Sequence, residues 1–302
     1  MLFMFPGLRN GVLKFCKWLI VPALGLFVIG IAISKPSQAE TFRIALVGDP
    51  KSGPFSYQYK LLELALDHAG GDHQVEYIAF DGATAKRIMQ QMEDGQIDVM
   101  FAGYRPEFEQ DFSQVYVPLT RGILGHRVFV TRPDMAQALN EVETLDDLKG
   151  HCIGSGADWL DTRILETNGF CVEKATYENL WRMLDHGRFD LLNRGAHEVH
   201  AEIGLALDAG MDLVVDQNIL LIYPLDFFFY VRADDRARHA IITEGLQAAY
   251  ENGAFMRNFY SDPGIARSLR LIRDSKRKVF RIPNPYMSSQ THAVANSYWE
   301  GY

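Results

Sequence analysis

Cysteine is scarce: three of 302 residues, at positions 16, 152 and 171. Disulfides therefore cannot be the main framework of this fold. Positive charge is also short, with 30 Lys and Arg against 38 Asp and Glu and a formal net charge of −8. An acidic balance without a basic stripe argues against nucleic acid as a partner. Long apolar runs are missing beyond residue 33. The one run present, Trp18 to Ile33, has 16 residues, short of the roughly 20 that span a bilayer.

That run follows Arg9, Lys14 and Lys17 and precedes Ser34-Lys-Pro-Ser37-Gln-Ala39, the order of a basic region, an apolar region and a small-x-small cleavage site. Residues 1–39 are expected to be a signal peptide, with Glu40 opening the mature chain in the periplasm; an uncleaved membrane anchor is the alternative. Cys16 precedes the apolar run, so a lipid-modified cysteine has no support. From Glu40 onward 26 basic and 38 acidic residues remain, a charge of −12. Cys152 and Cys171 are then an even pair, either a disulfide or two buried thiols. No nucleophile site accompanies either one.

A duplicated stretch organises the rest. Met92-Glu-Asp-Gly95-Gln-Ile-Asp98 runs into an apolar strand, and Leu184-Asp-His-Gly187-Arg-Phe-Asp190 does the same 92 positions later. Around the first copy, strands at Phe42–Val47, Val75–Phe80 and Ile97–Phe101 alternate with helices near Leu61–Leu66 and Ala83–Glu93. Strands at Leu124–Thr131, Cys152–Ile153, Phe170–Lys174 and Phe189–Leu192 repeat the alternation, with helices at Thr144–Leu148, Trp159–Asn168 and Asn179–Asp185. This order implies two α/β lobes, each with a mainly parallel sheet, and ligands beyond the strands' carboxyl ends. Val214–Val231 reads as two strands broken at Pro224, Arg238–Tyr260 as one long helix, and residues 263–282 as a helix and a short strand. The expected division is 40–124 with 229–302 as lobe 1 and 125–228 as an inserted lobe 2.

With this layout the chain resembles the family 3 extracellular solute-binding proteins, the amino-acid receptors of ABC importers. The resemblance covers roughly residues 41–260. It rests on Gly53-Pro54-Phe55-Ser after the first strand, Gly95-Gln-Ile-Asp98, Leu145-Asp-Asp-Leu148-Lys-Gly150, Met183 to Asp190 and Ile242-Thr-Glu-Gly-Leu246, in that order. It implies the two-lobed periplasmic-binding fold with two crossover strands. The chain departs from the family where ligands are held. Members carry an arginine in a Thr-x-x-Arg pattern after the third strand, where this chain reads Ala102-Gly-Tyr-Arg105-Pro-Glu-Phe-Glu-Gln110. They also carry an aspartate after the later strand of the second lobe, where it reads Leu192-Asn193-Arg194-Gly195.

Arg105 and Arg194 stand past strands where the cleft belongs, and a guanidinium there can take a carboxylate in bidentate fashion. A surface pairing of Arg105 with Glu107 or Glu109 is the competing reading. Asn193 adds a neutral donor and acceptor. Gly154-Ser155-Gly-Ala-Asp158-Trp159 reads as a glycine-rich loop whose free N–H groups suit an anion, with Ser155 and Trp159 as contacts. Asp158 in it is more simply a helix N-cap. Phe55, Tyr57 and Tyr104 are candidate ligand walls or core residues. Asp49 and Asp226 are candidates for a cationic group. His197-Glu198-Val199-His200 lacks the i, i+4 spacing of a zinc helix and reads as a solvated helix face.

The expectation is therefore a monomeric, non-enzymatic receptor that closes its lobes on a small polar solute, anionic or amino-acid-like, and delivers it to an inner-membrane ABC permease without a cofactor. Closure would bend the crossovers near residues 122–128 and 221–231. A periplasmic sensor without transport is the alternative. An enzyme would need a carboxylate pair in the cleft, and Asp49, Asp158 and Asp226 offer no convincing one.

Overall fold

The structure, a computed structural model, describes residues 39–53, 55–79, 84–273 and 276–299; the expected signal segment lies outside them. The chain opens with β1 (Thr41–Leu46), α1 (Ser56–His68), β2 (Gln74–Ala79), α2 (Ala85–Glu93), β3 (Val99–Gly103), α3 (Phe108–Asp111) and β4 (Phe112–Gln114). Past a first crossover come β5 (His126–Thr131), α4 (Pro133–Ala138), α5 (Leu145–Lys149), β6 (Ile153–Gly156), α6 (Leu160–Thr167), β7 (Val172–Ala175), α7 (Tyr177–Asp185), β8 (Leu191–Gly195), α8 (Val199–Asp208), β9 (Val214–Val215) and β10 (Ile219–Ile222). A second crossover leads to β11 (Phe227–Arg232), α9 (Arg236–Glu251), α10 (Ala254–Ser261), α11 (Pro263–Arg273), β12 (Lys278–Arg281) and α12 (Ser289–His292).

Two sheets result. The first has the order β2-β1-β3-β11-β4, with β1 parallel to β2 and β3, and β11 antiparallel to β3 and β4. The second has the order β12-β10-β5-β8-β6-β7, with β9 on β5. Each sheet carries its own core under its helices: Leu62, Phe229, Ile242 and Phe255 on the first, Val128, Leu180, Trp181 and Leu192 on the second. Burying such side chains is worth about 1.5–3 kcal/mol each.

The duplicated motif plays one role twice. Gly95 and Gly187 end α2 and α7 with φ of 69° and 68°, a left-handed turn that favours glycine. Asp98 then accepts from the Arg43 backbone N–H at 3.0 Å while its own N–H donates to the Arg43 carbonyl at 2.9 Å. Asp190 repeats this on Cys152, accepting its N–H at 2.9 Å and donating to its carbonyl at 3.0 Å. Each aspartate thus docks the edge of one parallel strand onto its neighbour. Asp98 also takes the Arg43 guanidinium at 2.8 and 2.7 Å; burial opposes its charge, yet Arg43 holds it below the usual carboxylate range.

Three expectations change. Gly154-Ser155-Gly156 is strand β6 rather than a loop, because the rings of Phe189 and Trp159 lie where side chains on the two glycines would stand, at 2.1 and 2.3 Å. The long helix expected over Arg238–Tyr260 is two helices, parted at Gly253 with φ 76°. Residues 229–302 do not all stay with the first sheet: β12 pairs in parallel with β10, from Ile219↔Lys278 to Ile222↔Arg281. The apolar β10 is fully buried, and β12 takes up the backbone edge it would otherwise leave open. Cys152 and Cys171 are joined by a disulfide that links the start of β6 to the start of β7.

Candidate ligand-binding cleft

A cavity of about 1110 Å³ opens at the carboxyl ends of β3, β6 and β8. One wall comes from the first sheet and its loops: Phe55, Phe101, Tyr104, Arg105, Phe108 and Phe227, with Thr84, Lys86 and Met89 of the α2 region. The facing wall comes from the second: Arg127, Ala157 to Asp161, Arg163, Arg194 and Glu198. The aromatic floor follows from strand alternation, since Phe101 and Phe227 meet edge to face 6.5 Å apart across the β3–β11 pair and Phe55 lies 5.3 Å from Phe101.

The second wall is an ion network. Arg194 points two nitrogens at Glu202, both at 2.6 Å, and a nitrogen at Glu198 at 3.0 Å. Trp159 and Tyr177, neighbours with ring centres 6.4 Å apart, both lie against it at 4.9 and 5.5 Å. Burial opposes its charge, but Glu198 and Glu202 hold its pKa above the ordinary guanidinium value. Arg127, buried on β5, pairs with Asp161 and lies 3.8 Å from Glu198. Tyr223 donates to Asp161 and receives the Asn193 amide at 3.2 Å. Burial works against the charge of Glu198, yet Arg194, His197 and Arg127 hold its pKa at about 2. Burial pulls the His197 pKa below its usual value; Glu198 opposes that shift, and Arg127 and Arg194 add to it. Three carboxylates therefore meet two guanidiniums, an excess of one negative charge. Arg127 Nε, Asn193 Oδ1 and His197 Nδ1 are buried here without a protein partner.

On the first wall the Arg105 guanidinium stands 5.8 Å over the Phe108 ring and joins no ion pair among the described residues. Glu107, the acid expected to neutralise it, is instead bound by Arg163 of the opposite wall at 2.7 Å. The Tyr104 hydroxyl leaves the cavity side to meet Glu109 at 3.2 Å and the backbone of Tyr286 and Ser288 at 3.1 and 2.8 Å.

The remaining expected site residues are placed as follows. Trp159 lines the cavity and caps α6 as its preceding residue, so Asp158 is not the cap; it faces the cavity. Tyr57 is core, donating to the Leu119 carbonyl at 2.9 Å. Ser155 is buried under α6 and receives the Thr162 hydroxyl at 2.8 Å. Asn193 and Arg194 lie in β8, not in a loop after it. Asp49 closes a turn on the Lys51 and Ser52 N–H groups, which lower its pKa. Asp226 is in the second crossover, where it receives the Thr120 hydroxyl at 2.6 Å and the N–H groups of Thr120, Gly122 and Phe227. Burial outweighs those donors and lifts its pKa to about 7. It ties the two crossovers together. His197 is not on a solvated face, because its ring sits 5.7 Å edge-on to Phe227. Among the described residues no group of three His, Cys, Asp or Glu is placed to hold a metal. Arg127, Asp161 and Glu198 are the network residues the sequence did not single out as a site; their only signal is charge on elements that otherwise read as apolar.

No family model and no curated protein matches this sequence. Solved structures do. They include the substrate-binding protein of an amino acid ABC transporter, at 14% identity over 73% of this chain and 97% of that one with a TM-score of 0.48. The fold itself, two helix-flanked α/β sheets joined by two crossovers, stands on the strand pairing alone. Also similar are the periplasmic VFT2 domain of Bordetella pertussis BvgS, 14% identical over 79% and 93% with a TM-score of 0.49, and a histidine kinase sensor domain with similarity to periplasmic binding proteins, 15% identical over 72% and 93% with a TM-score of 0.48. At such identities and TM-scores the likeness carries over no ligand or partner.

Proposed function

We propose that this chain is a periplasmic solute-binding protein that takes a small amino-acid-like solute between its lobes, without chemistry, for an ABC-type permease. The observation that carries this reading is the division of charge across the cleft. The first wall offers Lys86 and Arg105, neither in an ion pair among the described residues, above an aromatic floor. The second wall offers Asp158 and a network with one carboxylate in excess. A zwitterion lies well in such a field, its carboxylate toward Arg105 and its ammonium toward the second wall, with its side chain on Phe55, Phe101 and Phe227. The purely anionic solute that two open arginines would favour fits less well, because Arg194 is engaged by Glu198 and Glu202. The cavity exceeds the roughly 300–1,000 Å³ of formed ligand pockets, which suits a cleft that closes further on its ligand.

A thermal-shift screen of the chain against amino acids, dicarboxylates and organic phosphates tests the reading. Stabilisation by an amino acid is expected, with affinity falling at least about tenfold in Arg105→Ala and the unliganded melting temperature unchanged. Stabilisation by dicarboxylates alone would refute the zwitterion assignment. A sensor without transport is the second reading. It is favoured by the contact of Tyr104, a cavity residue, with the backbone of the C-terminal segment at Tyr286 and Ser288. On that reading, ligand changes the hydrogen-exchange protection of residues 284–299.

A further inference from the structure

The acidic chain conceals one strongly basic stretch. Between Pro263 and Arg281 stand seven Lys and Arg and one acid, a net +6, whereas the other residues from Glu40 onward hold 19 basic and 37 acidic side chains, a net −18. Of the seven, Arg277 is buried 3.6 Å from Asp216, and Lys278 reaches Glu143 at 2.5 Å. Arg267, Arg270, Arg273, Lys276 and Arg281 are exposed, Arg273 and Arg281 while also engaged within the fold. Arg267, Arg270 and Arg273 recur at i, i+3 and i+6 along one side of α11, while Ile265, Ser268 and Leu269 turn inward. The face extends to α8: Leu271 and Ile272 of α11 pack on the same core as Val199, Ile203 and Ala206 of α8, and Arg267, Arg277 and Arg270 lie near enough to His200 to lower its pKa beyond what burial does. On α8 two leucines are bare, Leu205 at 69% and Leu207 at 51% exposure.

We propose that this face rests on an anionic phospholipid surface. The cations do not converge on a pocket that would hold one anion; they spread along an exposed helix and the strand after it, which suits the diffuse charge of a headgroup layer. Bare Leu207, seven residues on from His200 and so on the same side of α8, suits the boundary between headgroup and acyl chain. The net −18 elsewhere is repelled by the same lipid, so the domain would meet the bilayer by this face alone. An acidic protein is the competing occupant, and Leu207 and the absence of a convergent fork weigh against it.

Flotation of the full chain with vesicles of phosphatidylcholine, alone or mixed with phosphatidylglycerol, tests the proposal. The apolar Trp18–Ile33 run would bind both kinds, and Arg9, Lys14, Lys17 and Lys35 around it favour the anionic ones, so the readout is the change in the ratio between them on substitution in the proposed face. Tighter binding to the anionic vesicles is expected, weakening with salt. The Arg267→Glu, Arg270→Glu, Lys276→Glu variant is expected to lose that preference by roughly tenfold or more, and the milder Arg267→Gln, Arg270→Gln pair to lose part of it with an unchanged melting temperature. Equal binding to both vesicles, or a preference that these variants leave intact, overturns the proposal. Binding to polyglutamate without any vesicle preference overturns it too, and assigns the face to an acidic protein.

Discussion

At the residue scale, the molecule reuses small solutions. Gly95 and Gly187 adopt the same positive φ, and Asp98 and Asp190 make the same pair of backbone hydrogen bonds to a neighbouring strand. Gly187→Ala should cost about 1–2 kcal/mol by denaturant titration, because a Cβ crowds the following carbonyl in this conformation. Glu198 gives a pH signature. Its pKa is held at about 2, below its usual value, so the stability it contributes is present above pH about 4.5 and is lost as the pH falls toward 2. Glu198→Gln should flatten that acid limb in a series of melts at stepped pH, with little effect near neutrality on the limb's shape. A wild-type limb shared unchanged by the variant would show that Glu198 is not its source.

At the scale of elements, close packing overrode local chemistry. Gly154-Ser155-Gly156 has the composition of a loop, yet it pairs on both sides, with β7 and β8, because glycine lets the Phe189 and Trp159 rings press on the strand. Arg194 likewise sits within a strand, where Trp159 and Tyr177 pack against it and two carboxylates hold it. The disulfide between Cys152 and Cys171 closes a loop with a sequence separation of 19. Cys152→Ser with Cys171→Ser should lower unfolding free energy by about 3 kcal/mol in the chain-entropy account, as measured against the oxidised protein.

At the scale of the whole molecule, the C-terminal segment is a third link between the sheets. It leaves β12 on the second sheet, with Asn284 donating to the Pro224 carbonyl at 2.7 Å and Tyr286 meeting Thr167 at 2.6 Å. It then crosses to the first, where Ser288 and Thr291 bind Glu109 at 2.7 and 2.9 Å. Arg121, a non-glycine residue with φ 54° in the first crossover, donates to the Ser297 and Trp299 carbonyls at 3.1 and 3.2 Å. Such a strap restrains any hinge at the two crossovers. Ending the chain after Ile282 should lower the melting temperature and increase the radius of gyration measured by X-ray scattering. An unchanged radius would mean that the crossovers alone set the opening.

The sequence by itself determined the order of strands and helices, the duplicated Gly-x-x-Asp stop and the two-lobed α/β fold, because apolar periodicity and turn residues act locally and repeat. Tyr104, Arg105 and Trp159, expected near the ends of parallel strands, line the cavity. Only the tertiary structure decided which charges remain available there. Glu107 is taken by Arg163 from the opposite wall, Arg194 by Glu198 and Glu202, and Arg127 by Asp161, and the first and last of these contacts join residues distant in the chain. It also decided where the tail goes, because β12 follows the open edge of β10, and an edge exists only once the sheet has formed.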